Sequence, residues 1–163
     1  MVNFLMSFRF NKSAPEDFGL EYIDDKFIRP SDGSEWVMHN LYDFGWGQEN
    51  GFYRKPLGSF DELINMVASD EDSEDSYGAA AMIDELYQME LKNYLLTSMT
   101  QDVPDRVKKK LNDIFRLSKG TNRTASVGLT LGEINKECDD WTSIADYYSK
   151  YEKKRSITSL FKK

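Results

Sequence analysis

The chain has 163 residues, 40% of them hydrophobic and 30% charged, with a formal net charge of −7. These values fit one globular domain, and an aromatic share of 13% argues against disorder. The chain lacks a signal-peptide pattern and any stretch near the roughly 18 apolar residues of a membrane span. The single cysteine, Cys138, excludes an internal disulfide. We therefore expect a cytoplasmic protein without a membrane segment, in which Cys138 is a buried, inert thiol.

The N-terminal third predicts strands and turns. Apolar side chains recur at every second position at its start, which indicates a half-buried strand over residues 2–10: Val2, Phe4, Met6, Phe8 and Phe10. The segment 20–29 is rich in aromatic and β-branched residues and ends in the turn cluster 30–33. Further strands are expected over 35–44 and 52–54, with the glycine-containing turn 45–51 between them. These patterns predict a small antiparallel sheet.

The remainder of the chain predicts helices. Ser59 and Glu62 have the spacing of a capping box, and so do Thr130 and Glu133, so a helix should begin after each serine or threonine. Between them, residues 77–99 and 103–118 repeat apolar side chains at the spacing of one helix face. Asp75 and Ser76 are expected to cap the first of these helices, Asp102 the second, with Pro104 in its first turn and Gly120 after its end. The two segments predict an antiparallel helical hairpin.

The predicted fold class is therefore α+β. We expect a small N-terminal antiparallel sheet, followed by the antiparallel helical hairpin and further packed helices. The whole chain, residues 1–163, is expected to form a single α+β domain. Within it we distinguish a sheet-forming part (1–58), a helical part (59–152) and a basic tail (153–163).

Charge is unevenly distributed along the chain. Residues 1–60 carry a net charge of −3 and residues 61–100, with ten acids and one base, a net charge of −9. Residues 101–163 carry a net charge of +5. A surface with so many acids is unsuited to nucleic acid, because phosphate binding requires lysine and arginine to displace counterions. The pattern favours a basic protein partner.

The acidic run between the first two predicted helices is the most specific candidate for a binding site. Its carboxylates are predicted to contact a partner: Asp70, Glu71, Asp72, Glu74 and Asp75. A calcium loop beginning at Asp70 would need a glycine at its sixth position and a glutamate at its twelfth, where the sequence has an aspartate and an alanine. The alternative is a solvated loop whose last acids cap the following helix.

Trp46 is the second candidate. It lies between two glycines in the predicted turn 45–51. A large aromatic side chain at such a position either fills the core between sheet and helices or projects as an anchor for a binding partner. We include Trp46 among the predicted partner-binding residues.

No combination of residues in the sequence indicates a particular reaction. His39 is the only histidine and Cys138 the only cysteine, which leaves a tetrahedral zinc site two ligands short unless carboxylates complete it. The glycines of 45–51 do not have the spacing of a phosphate-binding loop. We therefore predict no catalytic residues, no metal and no cofactor. Adjacent carboxylate pairs leave open an enzyme with a carboxylate site that the sequence does not identify.

Part of the sequence resembles a known class of proteins. The segment DSYGAAAMIDELY (75–87), the helix after it, NRTASVG (122–128) and residues 133–141 are similar to the small acidic immunity proteins of bacterial polymorphic-toxin and contact-dependent inhibition systems. The resemblance covers roughly residues 70–145. It implies a compact cytoplasmic protein without catalysis, which inhibits a toxin domain by stoichiometric binding. It implies no particular binding residues.

The favoured interpretation is a cytoplasmic protein-binding module that neutralises a basic toxin domain. An acidic block and several aromatic residues near turns are typical of a binding module that is steered electrostatically to its partner. The alternatives are an intracellular adaptor or regulatory domain without catalysis, and an enzyme with an unrecognised carboxylate site. The sequence does not determine the oligomeric state.

Overall fold

The computed structural model confirms the α+β fold. The described residues form five strands, which are β1 Phe4–Met6, β2 Glu21–Ile23, β3 Lys26–Arg29, β4 Ser34–Asp43 and β5 Gln48–Arg54. They make up one antiparallel sheet in the order β1-β5-β4-β3-β2. The structure describes residues 3–6, 14–43, 48–69, 73–119, 123 and 127–152.

In the part of the chain that the structure describes, five α-helices follow the sheet. They are α1 Phe60–Ala68, α2 Glu74–Leu86, α3 Gln88–Thr100, α4 Asp105–Phe115 and α5 Leu131–Tyr148. Three short 3-10 helices accompany them, at Pro15–Phe18, Leu117–Lys119 and Ser149–Tyr151. The expectation of helices after an N-terminal sheet is therefore confirmed.

The backbone separates into two compact units. The first is Met1–Leu91, which contains the sheet with α1 and α2, and the second is Lys92–Lys163, which contains α4 and α5. The division falls within α3 rather than after residue 58, because α1 packs on α2 and α2 packs on β1 and β4. The prediction of a single domain over residues 1–163 stays a prediction.

The segment 20–29 is a hairpin of its own, not one strand leading into the turn 30–33. β2 and β3 pair antiparallel with Ile23 opposite Lys26, so Asp24 and Asp25 form a two-residue turn between them. Both aspartates have positive φ, 48° and 61°, as this turn requires. Aspartate tolerates that conformation better than most residues, which explains how the turn forms without glycine.

Strand β1 is buried on both faces, so the predicted alternation of buried and exposed residues was wrong over residues 4–6, and residues 7–10 of the predicted strand lie outside the described residues. Phe4, Leu5 and Met6 are all buried. Phe4 lies against Gly78 of α2, whereas Leu5 belongs to an apolar cluster on the opposite face of the sheet. That cluster consists of Leu5, Phe18, Leu20, Trp36 and Phe52, with Phe27 packed against it.

The caps of α1 and α5 were predicted correctly, but the cap of α2 was not. Ser59 and Glu62 form a capping box at α1, and Thr130 and Glu133 form one at α5. Helix α2 begins three residues earlier than expected, because Ser73 accepts a hydrogen bond from the Ser76 amide. Because Ser73 caps α2, the Asp75 side chain does not cap its own helix and binds the sheet.

The predicted hairpin segments are helical but differ in their ends. Residues 77–99 are divided at Tyr87, which ends α2 with a non-helical backbone. The second helix, α4, begins after Pro104 without a side-chain cap from Asp102, and its last residue is Phe115 rather than residue 118, because Arg116 adopts the left-handed region. The antiparallel pairing of these segments stays a prediction.

In the second unit, α5 buries a face that includes one acid. Glu137 lies among Trp141, Ile144 and Tyr148 on the buried face and forms an ion pair with the buried Lys92. Cys138, one position further around the helix, is exposed. The expectation of a buried thiol was wrong because the partner of Lys92 occupies the inward position.

The contact between Gly78 and Phe4 predicts the effect of a single methyl group. A Cβ at Gly78 would lie 2.3 Å from Phe4 Cγ, so Gly78→Ala should destabilise the protein by about 1 to 3 kcal/mol despite the better helix propensity of alanine. Gly132 in α5 has open space around the same position, so Gly132→Ala is the matched control and should be neutral or stabilising. Urea denaturation of both variants tests this. Equal stabilities would contradict the close packing of α2 on β1.

Candidate functional site

The predicted partner-binding residues divide into two groups. Asp70, Glu71, Asp72 and Trp46 lie outside the described residues. Glu74 and Asp75 are described, and both begin α2. Contact of any of these side chains with a partner stays a prediction.

Asp75 and Glu74 bind the backbone of the edge strand β1. Asp75 Oδ1 accepts hydrogen bonds from the Asn3 amide at 2.7 Å and the Phe4 amide at 2.8 Å. Its second oxygen accepts a bond from Asn3 Nδ2 at 3.2 Å. Glu74 Oε1 accepts a bond from the Met6 amide at 3.2 Å. The two carboxylates thus satisfy amides of β1 at the start of α2, where the helix dipole also favours negative charge.

These contacts close one edge of the sheet. In an antiparallel pair the amides of alternate residues point away from the partner strand, and β1 pairs with β5 on one side only. The outward amides of Phe4 and Met6 would otherwise offer a template for pairing with another chain. Carboxylates block that pairing because they accept hydrogen bonds and cannot donate them. Two of the predicted partner-binding acids, Glu74 and Asp75, therefore stabilise the edge strand β1 within the first unit.

The opposite edge, formed by β2, is open. Glu21, Tyr22 and Ile23 are all exposed, with 63% of Tyr22 and 44% of Ile23 accessible to solvent. No further strand pairs with β2 beyond β3 in the described part of the chain. Exposed aromatic and β-branched side chains on an edge strand are characteristic of interaction surfaces.

The β2 edge is also strongly acidic. Residues 14–25 contain five acids and no base: Glu16, Asp17, Glu21, Asp24 and Asp25. All five are exposed. An open depression of about 600 Å³ lies beside the strand, and its lining includes Glu16, Glu21, Phe18 and Arg29. The Arg29 guanidinium lies 4.5 Å from the centre of the Trp36 ring, so part of its charge is directed at that ring.

Sequence reasoning missed this surface. The charge of residues 1–60 was considered as a whole, and the bases at Lys26, Arg29, Arg54 and Lys55 diluted the acids of 14–25. A shorter window would have identified a second acidic segment. Its position along a sheet edge could not be read from charge alone.

Other acids of the first unit are neutralised locally. Glu35 forms ion pairs with Lys55 at 2.7 Å and with Lys26 at 3.0 Å, and the hydrogen bonds from these lysines hold the pKa of Glu35 below its usual value. Hydrogen bonds from Ser34 lower the pKa of Asp32 in the same sense. By contrast, Glu16, Glu21 and Asp24 take part in none of the ion pairs formed by the described residues.

The single histidine pairs with a carboxylate. His39 Nε2 on β4 lies 2.5 Å from Glu85 Oε2 on α2, and both side chains are partly exposed. This contact ties the helix to the sheet. Within the described ranges, no group of three or more histidine, cysteine or acidic residues is arranged to hold a metal ion.

The second unit contains a cluster of tyrosines and lysines. The buried Lys108 donates a hydrogen bond to the Tyr147 hydroxyl at 2.8 Å, which lowers the pKa of Tyr147. Tyr148 is buried beside it and shares a 2.8 Å hydrogen bond with Ser98, and burial raises its pKa to about 12. Lys150 lies 3.9 Å from the centre of the Tyr147 ring. These contacts hold α4 and α5 together.

Comparison of the chain with protein-family models, with curated proteins and with solved structures gave no significant match. Among the helices that the structure describes, none has the length and apolar character needed to cross a membrane.

The role of Asp75 can be separated from the general effect of an acid at a helix start. Asp75→Ala removes the acceptor of the Asn3 and Phe4 amides and should destabilise the protein by about 1 to 3 kcal/mol, because the amide of the buried Phe4 loses its partner. Asp61 occupies the same second position in α1, so Asp61→Ala is the matched control. It should cost only about 0.3 to 1 kcal/mol through the helix dipole. Equal losses in urea denaturation would show that the bonds to β1 contribute nothing.

Proposed function

We propose that this protein is a toxin-neutralising immunity protein, which binds a basic toxin domain stoichiometrically in the cytoplasm. The observation that carries the proposal is the exposed acidic surface along β2. Its carboxylates at Glu16, Glu21 and Asp24 are available to an incoming cationic surface. The resemblance of residues 70–145 to small acidic immunity proteins supports the same conclusion.

Electrostatics explains how such binding would work. A net charge of −7, concentrated in residues 61–100 and along β2, attracts a basic domain over distances beyond direct contact. Steering of this kind raises the association rate above the roughly 10⁵ to 10⁶ M⁻¹s⁻¹ of uncharged partners. Fast capture is what a protein needs to neutralise a toxin before it acts. Nucleic acid does not suit this surface, because its phosphates would meet carboxylates.

Two other functions compete with this proposal. An intracellular adaptor without catalysis would use the same acidic surface for a regulatory partner. An enzyme with a carboxylate site would instead turn over a small substrate. The adaptor would bind a regulatory protein and the enzyme would bind no protein, so identification of any bound protein distinguishes these functions from the proposed one.

The test combines capture with neutralisation. The purified protein is incubated with lysate of its native host, and the bound proteins are identified by mass spectrometry. We expect a basic toxin domain encoded at the neighbouring locus, a 1:1 complex and restored growth of cells that express both proteins. The association rate should fall as salt rises, because the Debye length shortens from about 30 Å at 0.01 M to about 10 Å at 0.1 M.

Capture of an endogenous regulatory protein, without rescue of toxin-expressing cells, would contradict the proposal and support the adaptor. Turnover of a small molecule without any bound protein would support the enzyme. An association rate that does not change with salt would exclude electrostatic steering.

A further inference from the structure

We propose that the outer edge of β2 is the docking site, where an extended basic segment of the partner adds to the sheet as an antiparallel strand beside Tyr22. The inference rests on the proposed function for the identity of the partner. The chemistry of the segment follows from the edge itself: a backbone in β conformation, with lysine or arginine side chains. Such strand addition is a common mode of peptide recognition.

The backbone geometry determines which groups are offered. Ile23 and Lys26 flank the two-residue turn at Asp24 and Asp25, so this pair closes the hairpin. Hydrogen-bonded and non-hydrogen-bonded pairs alternate along an antiparallel ladder, which directs the N–H and C=O of Tyr22 away from β3. The Leu20 amide, two residues earlier, is already bonded to the Pro15 carbonyl at 3.0 Å. Tyr22 therefore supplies the donor and acceptor to which a new strand would bind.

The Tyr22 side chain on the β2 edge is held in place by two contacts. The Tyr22 ring lies 5.0 Å from the Phe27 ring, and its hydroxyl donates a hydrogen bond to Asp25 Oδ1 at 3.2 Å. These contacts fix the ring although 63% of the Tyr22 residue is exposed, which reduces the entropy lost on binding. Ile23 is exposed on the other face of the sheet, so a docked strand would find an apolar neighbour on each face.

Charge selects the occupant. A second copy of this chain is disfavoured, because pairing of two β2 edges would bring two sets of like charges together, including Glu21 and Asp24 from each copy. A basic strand would instead be attracted to the acids that repel a second copy. The lining of the open depression beside the edge includes Glu16 and Glu21 together with Arg29, so a lysine or arginine side chain that enters it would meet two acids and one base. β2 has only three residues, so its backbone alone binds weakly and specificity depends on these acids.

The opposite edge supports this assignment by contrast. Glu74 and Asp75 occupy the outward amides of β1, which excludes strand addition there. Of the two edges of the sheet, only β2 offers its outward backbone groups to solvent within the described residues. A partner strand can therefore extend this sheet at one side only.

The test uses a defined probe, the acetylated and amidated peptide (Lys-Val)4. Titration into ¹⁵N-labelled protein should shift the amide resonances of residues 21–25 more than any others. Tyr22→Pro removes the outward donor without a loss from the β2–β3 ladder and should weaken binding about tenfold. Tyr22→Thr keeps the donor and is the matched control, with a smaller loss. Neutralisation by Glu16→Gln with Glu21→Gln should also weaken binding, and raised salt should remove that difference.

Two controls do not depend on the folding of a variant. The same peptide with every backbone amide methylated cannot form a strand and should not bind. The peptide (Glu-Val)4 should not bind either. Shifts centred elsewhere, the absence of shifts at millimolar (Lys-Val)4, or equal binding of the methylated peptide would each overturn the proposal.

This experiment is independent of the proposed function, because the probe is not a toxin. Peptide binding at residues 21–25 together with failure to capture a toxin domain would keep the docking site and reject the immunity function. Capture of a toxin domain with full affinity by Tyr22→Pro would keep the immunity function and reject the docking site.

Discussion

The hydrogen bonds from the edge of β1 to Asp75 and Glu74 are the constraint on which the first unit depends. Backbone amides of an edge strand have no partner strand on one side, and burial of β1 removes water as an alternative. The start of α2 supplies the missing acceptors. Once it is fixed there, Gly78 lies against Phe4 and Glu85 reaches His39 on β4. A three-residue strand is thereby held by a helix more than 60 residues away along the chain.

This arrangement makes the two edges of the sheet chemically different. Carboxylates close β1, whereas β2 presents Tyr22 and Ile23 with acids on either side. A protein that left both edges open would pair with many strands, and one that closed both would offer none. The proposed function requires one open edge with a charge preference. Glu74 and Asp75 thus satisfy the backbone of β1, whereas the acids along β2 are exposed, at the edge where the proposed basic partner would bind.

Much of the fold could be predicted from local patterns. The capping boxes at Ser59 and Thr130 located two helix starts, because a cap depends on residues three positions apart. The turn at Asp24 and Asp25 was missed, since non-glycine residues with positive φ leave a weak signal. The position of Cys138 was missed because it depends on the burial of Lys92, which no local pattern reveals. The periodicity of a sequence does not show which charged groups pair when they lie far apart along the chain.

The acidic character of the candidate site could be predicted from composition, and its contact with a basic partner stays a prediction. The sequence placed that contact at residues 70–75, but the Asp75 carboxylate binds β1. The segment 14–25 has the same character, and only the sheet order shows that it lies along an open edge. Which edge of a sheet is covered depends on tertiary contacts, and a sequence does not display them.

Amide hydrogen exchange, measured residue by residue by NMR, tests the central claim that one edge is closed and the other open. The amides of Phe4 and Met6 should be strongly protected by the carboxylates that accept from them. The Tyr22 amide should exchange near the rate of an unstructured peptide, while the inward amide of Lys26 in the same hairpin is protected. Rapid exchange at Phe4 together with protection at Tyr22 would contradict the account.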